Sequence, residues 1–486
     1  MTPIRFKNIS QLREAILDSP LQHYVAVLLS DNPVDFAPGA IERIEQIGAD
    51  TESPLLYGHY RERLTDGSLV RQPVAPYQIG SVTDSFNFGP VVFINAATAL
   101  HVISRLLDLL GNDPLPLDGG WYSLRLRLSV TGTFVHIPEY LYTVNKSDFR
   151  KSGERQFDYL KASAEVMQRQ HEETFRLHLE LIGARLLEKP ERVNVSEGSF
   201  PVEASVVIPV RNRVRTVGDA VRSALSQQTD FDFNLIVVDN GSTDGTSDVL
   251  AAIDDPRLHV INPDPSEQLG IGGCWNRAID SEWCGRFAVQ LDSDDVYAGP
   301  DTLARVVAKF YADRCGMVVG SYRLTDLDLN PIGEGIIDHK EWTDRNGRNN
   351  ALRVNGFGAP RAFYTPIARV CRFPDVSYGE DYAMCLRVSR EFYVGRIYDA
   401  IYLCRRWEGN SDADLSPEAV VAHQVYKDYL RSIEIQARIK LNAVDTPPVM
   451  PMLGNDLNFF DDDFDLDDEN FGFDDDDWID DDELPF

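Results

Sequence analysis

Ala204-Ser205-Val206-Val207-Ile208-Pro209-Val210-Arg211-Asn212 and Asn234-Leu235-Ile236-Val237-Val238-Asp239-Asn240-Gly241-Ser242-Thr243-Asp244-Gly245 decide the fold of this chain. Each is a short apolar, β-branched run that ends in polar turn chemistry, the pattern of a buried strand. Residues 217–227 between them carry helical apolar spacing, and another helix start follows Gly245. Strand alternating with helix predicts an α/β domain with a parallel sheet whose strand ends carry the ligand.

Downstream, Leu291-Asp292-Ser293-Asp294-Asp295 follows the apolar run Phe287-Ala288-Val289. At a strand end the chain turns, and both carboxylates can reach one hard cation. Alone, such a pair is weak, because acidic residues crowd turns to bond their own backbone. Its place in an ordered series gives it weight.

That series comprises residues 206–212, residues 237–245, residues 269–279 with Asn276, residues 291–295, and Gly379-Glu380-Asp381-Tyr382 followed by Leu386-Arg387. Together these resemble the GT-A catalytic domain of the family 2 nucleotide-sugar glycosyltransferases, from about Ala204 to Ser411. The resemblance implies a Rossmann-like mixed sheet flanked by helices and a nucleoside-diphosphate sugar as donor, a UDP-sugar first, with the base preference open. It implies Mn²⁺ or Mg²⁺ held by Asp292 and Asp294, which neutralises the charge of the departing diphosphate. Asp381, with Glu380 beside it, falls at the general base that takes the acceptor proton, and in-line attack inverts the anomeric centre. Pro209, Arg211, Asn212, Asp239, Asn240, Asn276, Ser293 and Arg406 fall around the donor, while Asp244 is expected to cap the following helix. Two departures stand out. Asn240 replaces a second carboxylate common in relatives, and Arg405-Arg406-Trp407-Glu408-Gly409-Asn410-Ser411 lacks the histidine often found there.

The first 190 residues carry an internal repeat of the second half. Gly58-His59-Tyr60-Arg61 matches Gly320-Ser321-Tyr322-Arg323 at an offset of 262, as does Pro38 with Pro300. Gly119, Tyr122, Leu126, Arg127, Ser129, Ile137 and Tyr142 match positions 260 residues later. At these offsets Asp292 and Asp294 face Ser30 and Asn32, and Glu380 and Asp381 face Gly120 and Trp121. The expected organisation is a truncated, catalytically silent GT-A-like domain (1–190), a linker (191–202), the catalytic domain (203–415), a C-terminal helix (416–444) and a disordered acidic tail (445–486). Packing, dimerisation and acceptor binding are the candidate tasks of the first domain. Helical stripes over 156–187 and 419–443 are expected to pack each on its own domain.

From Asn455 to Phe486 the chain holds 16 Asp or Glu and no Lys or Arg, more than half of the net charge of −30. A run this charged repels itself and buries too little apolar surface to fold alone. Its interspersed Phe459, Phe460, Phe464, Phe471, Phe473, Trp478 and Phe486 suit a partner protein with a basic, apolar-pocketed groove. The terminal Asp480-Asp481-Asp482-Glu483-Leu484-Pro485-Phe486 is similar to the acidic C-terminal peptide of bacterial single-stranded-DNA-binding proteins. That similarity implies a hydroxymethylated base in phage DNA as one acceptor, against polysaccharide, lipid-linked sugar or protein. No stretch approaches the ~20 apolar residues of a membrane span. The six cysteines have no paired Cys-x-x-Cys spacing, so reduced thiols in a cytoplasmic protein are expected. The rival to an enzyme is a non-catalytic scaffold that senses nucleotide sugar.

Overall fold

The computed structural model describes residues 3–19, 23–30, 32–110, 117–146, 164–343, 346–410 and 414–445. The acidic tail, and residues 156–163 of the expected first long helix, lie outside the described residues.

Two sheets organise the chain. The first contains β1 (Tyr24–Leu28), β2 (Val34–Phe36), β3 (Leu55–Arg63), β4 (Leu69–Gln72), β5 (Val91–Asn95) and β6 (Val135–Asn145). The second contains β7 (Ala204–Val210), β8 (Phe233–Asp239), β9 (Leu258–Ile261), β10 (Phe287–Gln290), β11 (Val296–Tyr297), β12 (Met317–Thr325), β13 (Pro331–Ile337), β14 (Arg361–Tyr364) and β15 (Val394–Arg405). The order in the second is β11-β15-β12-β14-β10-β7-β8-β9, with β13 on β12. β7, β8, β9 and β10 run parallel, whereas β14 is antiparallel to its neighbours β10 and β12. With helices on its faces, this is the mixed sheet that the resemblance implied. β8 is buried along its whole length, as a strand covered on both faces requires.

The first sheet runs β1-β5-β3-β6-β2, with β4 on β3. Strand for strand and sense for sense, this matches β10-β14-β12-β15-β11 with β13 on β12. Even the cross-strand pair Tyr60–Tyr142 has its counterpart in Tyr322–Tyr402. Strands corresponding to β7, β8 and β9 are absent from this sheet among the described residues. The pairing corrects one expected correspondence. Leu55, Ile94 and Val25 lie in register across β3, β5 and β1 as Met317, Phe363 and Ala288 do across β12, β14 and β10. The offset between β1 and β10 is therefore one residue larger than that between β3 and β12, because the intervening loops differ in length. Leu29, not Ser30, falls at the position of Asp292, and the counterpart of Asp294 lies outside the described residues. An apolar residue replaces one acid, so the carboxylate pair does not recur.

The long helices do not stay on their own sheets. Phe175 and Leu179 of the Ala164–Leu181 helix, with Tyr122 and Leu126, belong to the core of the second sheet. In the Pro417–Asp445 helix, Val421 and Val425 pack on the core of the first sheet while Leu430 and Ile435 enter that of the second. Each apolar stripe is split by polar residues, so each helix has two apolar faces to cover and lies between the halves. The connecting segment is also pinned down. Val193 N–H donates to Arg314 O at 2.7 Å, and Arg286 donates to the carbonyls of Val195 at 2.9 Å and Glu197 at 2.6 Å. All six cysteines are free.

Candidate active site

Parallel pairing puts the carboxyl-terminal ends of β7, β8 and β10 along one edge of the sheet. Arg211 and Asn212 leave β7 there, Asp239 and Asn240 end β8, and Asp292, Ser293 and Asp294 follow β10. Pro209 is half-buried in the last turn of β7, and Ser293 is buried between the two acids.

The acids are oriented by groups from four other segments. Both carboxylate oxygens of Asp292 accept from the Gln290 amide, at 2.8 and 2.9 Å, and its backbone N–H donates to the Tyr402 hydroxyl at 3.0 Å. Asp294 Oδ2 accepts from Asn410 Nδ2 at 3.2 Å and Trp407 Nε1 at 3.4 Å, with Arg213 Nε at 3.8 Å. Asp295 is a strut: buried, it accepts the Arg405 N–H at 2.7 Å. Burial, then the charges of Asp294 and Asp292, push the Asp295 carboxyl well above its usual range.

Facing Asp292 stands the amino-terminal turn of the Glu380–Glu391 helix, which begins after Gly379 at φ 78°, a left-handed conformation that glycine adopts freely. Between them lies Arg361, at the start of β14 beside β10. Its guanidinium donates to Asp381 Oδ2 at 2.8 Å and to Gly358 O at 3.0 Å, and its backbone N–H donates to Gln290 Oε1 at 3.0 Å. One cation therefore joins the Asp292 arm to the Asp381 arm. Burial pushes Asp292 upward, an effect that Arg361 opposes and the charges of Asp294 and Asp381 reinforce. For Asp381 burial acts in the same direction, but Arg361 and Lys427 outweigh it and hold the carboxyl below its ordinary value. Glu380, buried and next to the Asp381 charge, is pushed up to about 8. Two adjacent carboxyls with separated affinities for protons are the arrangement by which a site divides acid and base roles.

The shift on Glu380 has a measurable consequence. A carboxyl raised in the folded state stabilises the fold below its ordinary value and loses that contribution as pH rises toward about 8. The Glu380→Gln variant should therefore lose less melting temperature than the wild type between pH 5 and pH 8.5, as calorimetry at a series of pH values would show. Parallel curves would mean that Glu380 carries no such shift.

Several residues expected around the donor turn out to hold the protein itself. Asn276 spends its amide in a clamp on Phe373, donating to the carbonyl at 2.8 Å and accepting the N–H at 3.1 Å. Both ends of the side chain thus fasten the helix Ile271–Asp280 to the loop before Glu380. Asp239 accepts from Ser242 N–H at 3.1 Å and Ser247 Oγ at 2.5 Å, and Asn240 donates to Leu269 O at 2.6 Å, so both shape the rim of the edge. Asn212, at φ 54°, accepts from Thr243 N–H at 2.8 Å and ties the first loop to the second. Asp244 accepts from Thr246 N–H and Val214 N–H, both at 3.0 Å, and stands one residue before Gly245, the N-cap of the following helix. Arg406 N–H continues the ladder to Thr325 O at 2.7 Å. Its buried neighbour Arg405 pairs with Asp219 at 2.9 Å. Arg213 is the arginine that faces Asp294.

Sequence reading missed Arg361, Arg213, Gln290 and Tyr402. Tyr402 was within reach, since the repeat pairs it with Tyr142, whose hydroxyl likewise accepts a strand N–H, that of Val91 at 3.2 Å. Arg361 carried no motif, and only the antiparallel insertion of β14 beside β10 brings it to the site.

The donor set suits a hard cation in part. Asp292 and Asp294 offer carboxylate oxygens, and among the described residues no group of three or more His, Cys, Asp or Glu could hold a metal ion. Two carboxylates, with substrate phosphates and water completing the shell, is a common arrangement for Mg²⁺. Among the described residues no helix is long and apolar enough to cross a membrane.

Residues 205–373 match the family model described as glycosyl transferase family 2. The succinoglycan biosynthesis protein ExoO of Rhizobium meliloti (strain 1021) is 33% identical over 126 residues, covering 26% of this chain and 35% of that protein. The putative teichuronic acid biosynthesis glycosyltransferase TuaG of Bacillus subtilis (strain 168) is 31% identical over 134 residues, covering 27% of this chain and 51% of that protein. The chain thus spans about a third to a half of the length of these relatives. Among solved structures, S. aureus TarS 1-349 in complex with UDP-GlcNAc aligns at 20% identity and a TM-score of 0.39, over 51% of this chain and 68% of that one.

Proposed function

We propose, for a chain whose residues 205–373 match the glycosyl transferase family 2 model, an inverting transfer of a sugar from a nucleoside diphosphate to an acceptor hydroxyl of a polysaccharide or other glycoconjugate. The observation that carries this reading is the placement of Asp292, at the end of β10, and Asp381 on either side of Arg361, with Asp294 beside Asp292. Donor diphosphate sits along the edge formed by β7, β8 and β10, with Arg211 and Arg213 supplying positive charge. Asp292 and Asp294 hold Mn²⁺ or Mg²⁺. When bound, the ion neutralises the charge that develops on the leaving diphosphate. Asp381 accepts the proton of the attacking hydroxyl, and its place across the site from Asp292 directs that attack in line, with inversion. Glu380, protonated near neutral pH, leaves Asp381 as the single anionic base of the pair. The amino-terminal half is a partial copy of the same fold without the nucleotide-holding strands, a reading supported by its strand order and by Leu29 at the place of Asp292.

The test is to incubate the full chain with Mn²⁺ and UDP-glucose, UDP-GlcNAc and GDP-mannose, and to measure nucleoside diphosphate release with oligosaccharides and with hydroxymethylated DNA as acceptors. Turnover that falls at least about 10³-fold in Asp294→Ala supports the reading. Binding of a donor with no turnover on any acceptor would leave a nucleotide-sugar-binding scaffold instead. Transfer to the DNA alone would move the acceptor to the class that the tail resembles.

A further inference from the structure

The amino-terminal half reaches the base through a buried chain of polar contacts that the proposed reaction does not itself use. Residues 78–84 lie against the Pro417–Asp445 helix. Gln78 Nε2 donates to Val425 O at 3.0 Å, Gly80 N–H to Ser432 Oγ at 3.0 Å, and Ser81 Oγ to Asp428 Oδ2 at 2.8 Å. Asp428 Oδ1 binds Arg431 at 2.7 Å, in a pair only 0% and 1% exposed. Arg431 Nε then donates to the Tyr382 hydroxyl at 3.1 Å, and its Nη2 donates to Val354 O at 3.0 Å and Asn355 Oδ1 at 2.8 Å. Tyr382 adjoins Asp381 in the first helical turn and donates its backbone N–H to the Asp381 carboxylate at 2.7 Å.

The other end of this chain is equally fixed. Arg125, fully buried in the first half, donates to Ser81 O at 3.0 Å and also to Thr83 O. Tyr122, which the repeat pairs with Tyr382, donates to Val82 O at 2.7 Å. Asp84 closes the contact by pairing with Arg353 of the second half at 2.7 Å and with His171 at 2.7 Å. Breaking one member of such a buried network leaves its partners uncompensated, so the network has few alternative arrangements.

We infer that the amino-terminal half is a positioning element for the base: residues 78–84 set the Pro417–Asp445 helix, and Arg431 on that helix sets the turn bearing Asp381. The inference rests on the reading of Asp381 as general base. A base displaced by about an ångström from its hydrogen-bonding distance loses rate without loss of donor binding. Ser81, Asp428 and Arg431 are positioning residues, since none of them touches the reacting atoms.

Gly80 offers the cleanest perturbation. A Cβ there would lie 2.1 Å from Asp428 O and 2.4 Å from Ser432 N, both backbone atoms, so Gly80→Ala must push the loop off the helix. Ser81→Ala removes only the hydroxyl, and it serves should Gly80→Ala fail to fold. Hydrogen–deuterium exchange on the full-length variants should show faster exchange at residues 380–384 and unchanged exchange in β7 and β8. In the turnover assay with the donor that the wild type uses, kcat should fall roughly ten- to a hundredfold, with the KM for donor within about twofold. Unchanged exchange at residues 380–384 overturns the inference whatever the activity. Faster exchange with wild-type kcat, or a KM for donor that rises along with the loss of kcat, overturns it as well. A wild-type chain without turnover would sink the proposed transfer alone, because exchange still reports whether the loop holds the turn.

Discussion

Asp381→Asn lowers kcat by at least about 10³-fold, while the KM for donor stays within a few-fold of the wild-type value. The substitution keeps the shape of the side chain and its place at the head of the Glu380–Glu391 helix. It removes the one group that combines an ionised carboxylate with a position across the site from Asp292. A general base contributes roughly 10²–10⁴-fold. Glu380 does not replace it, because burial, the larger cause of its raised carboxyl, still favours the protonated form once the Asp381 charge is gone. Steady-state kinetics with the preferred donor decides the matter. A loss below about tenfold would mean that the proton goes elsewhere, and a rise in KM alone would assign Asp381 to binding.

Arg361→Met is expected to be the most damaging single change to the fold of the site. It leaves Asp381 and Asp292 half-buried without the cation between them, and breaking a buried pair from one side costs about 3–5 kcal/mol. With Arg361 17% and Asp381 28% exposed at the side chain, solvent screening puts the expectation at the lower end, about 3 kcal/mol. Urea denaturation at pH 7 measures it. The sign with pH follows from the depressed value of Asp381. Its pairing stabilises the fold above the ordinary carboxylate range and is lost as pH falls through the depressed value. The stability gap between wild type and variant should therefore shrink below about pH 4. In the same variant Asp381 holds its proton to higher pH, so the acid limb of the kcat/KM profile moves upward. A gap that does not change with pH, or an acid limb that does not move, would mean that Arg361 does not govern the base.

Much of this architecture is legible in the residues themselves. The unalternating runs that became β7 and β8 can only be strands covered on both faces, and the helical spacing between them forces a parallel connection. Acidic residues after β10 and at Glu380-Asp381 mark the two sides of the site, and the repeat announces a second sheet. Local patterns fail where one residue serves distant neighbours. Asn276 sits in a motif position, and its hydrogen-bond partner Phe373 is brought near only by folding. The offset of the repeat misplaced the counterpart of Asp292 by one residue, because an offset taken from one strand does not survive a loop of different length. A register counted across three paired strands does.

The alternation of strands and helices around β7 and β8, and the strand end at which Asp292 and Asp294 stand, follow from the sequence by itself, since periodicity and turn chemistry act between residues close in the chain. Tertiary structure alone decided that Arg361 stands between the two acid arms, that Asp295 is a strut, and that the long helices lie between the halves rather than on them. Those outcomes depend on which strand inserts beside β10 and on which of two apolar faces each helix covers. Both are choices among long-range contacts, and no stretch of adjacent residues encodes them.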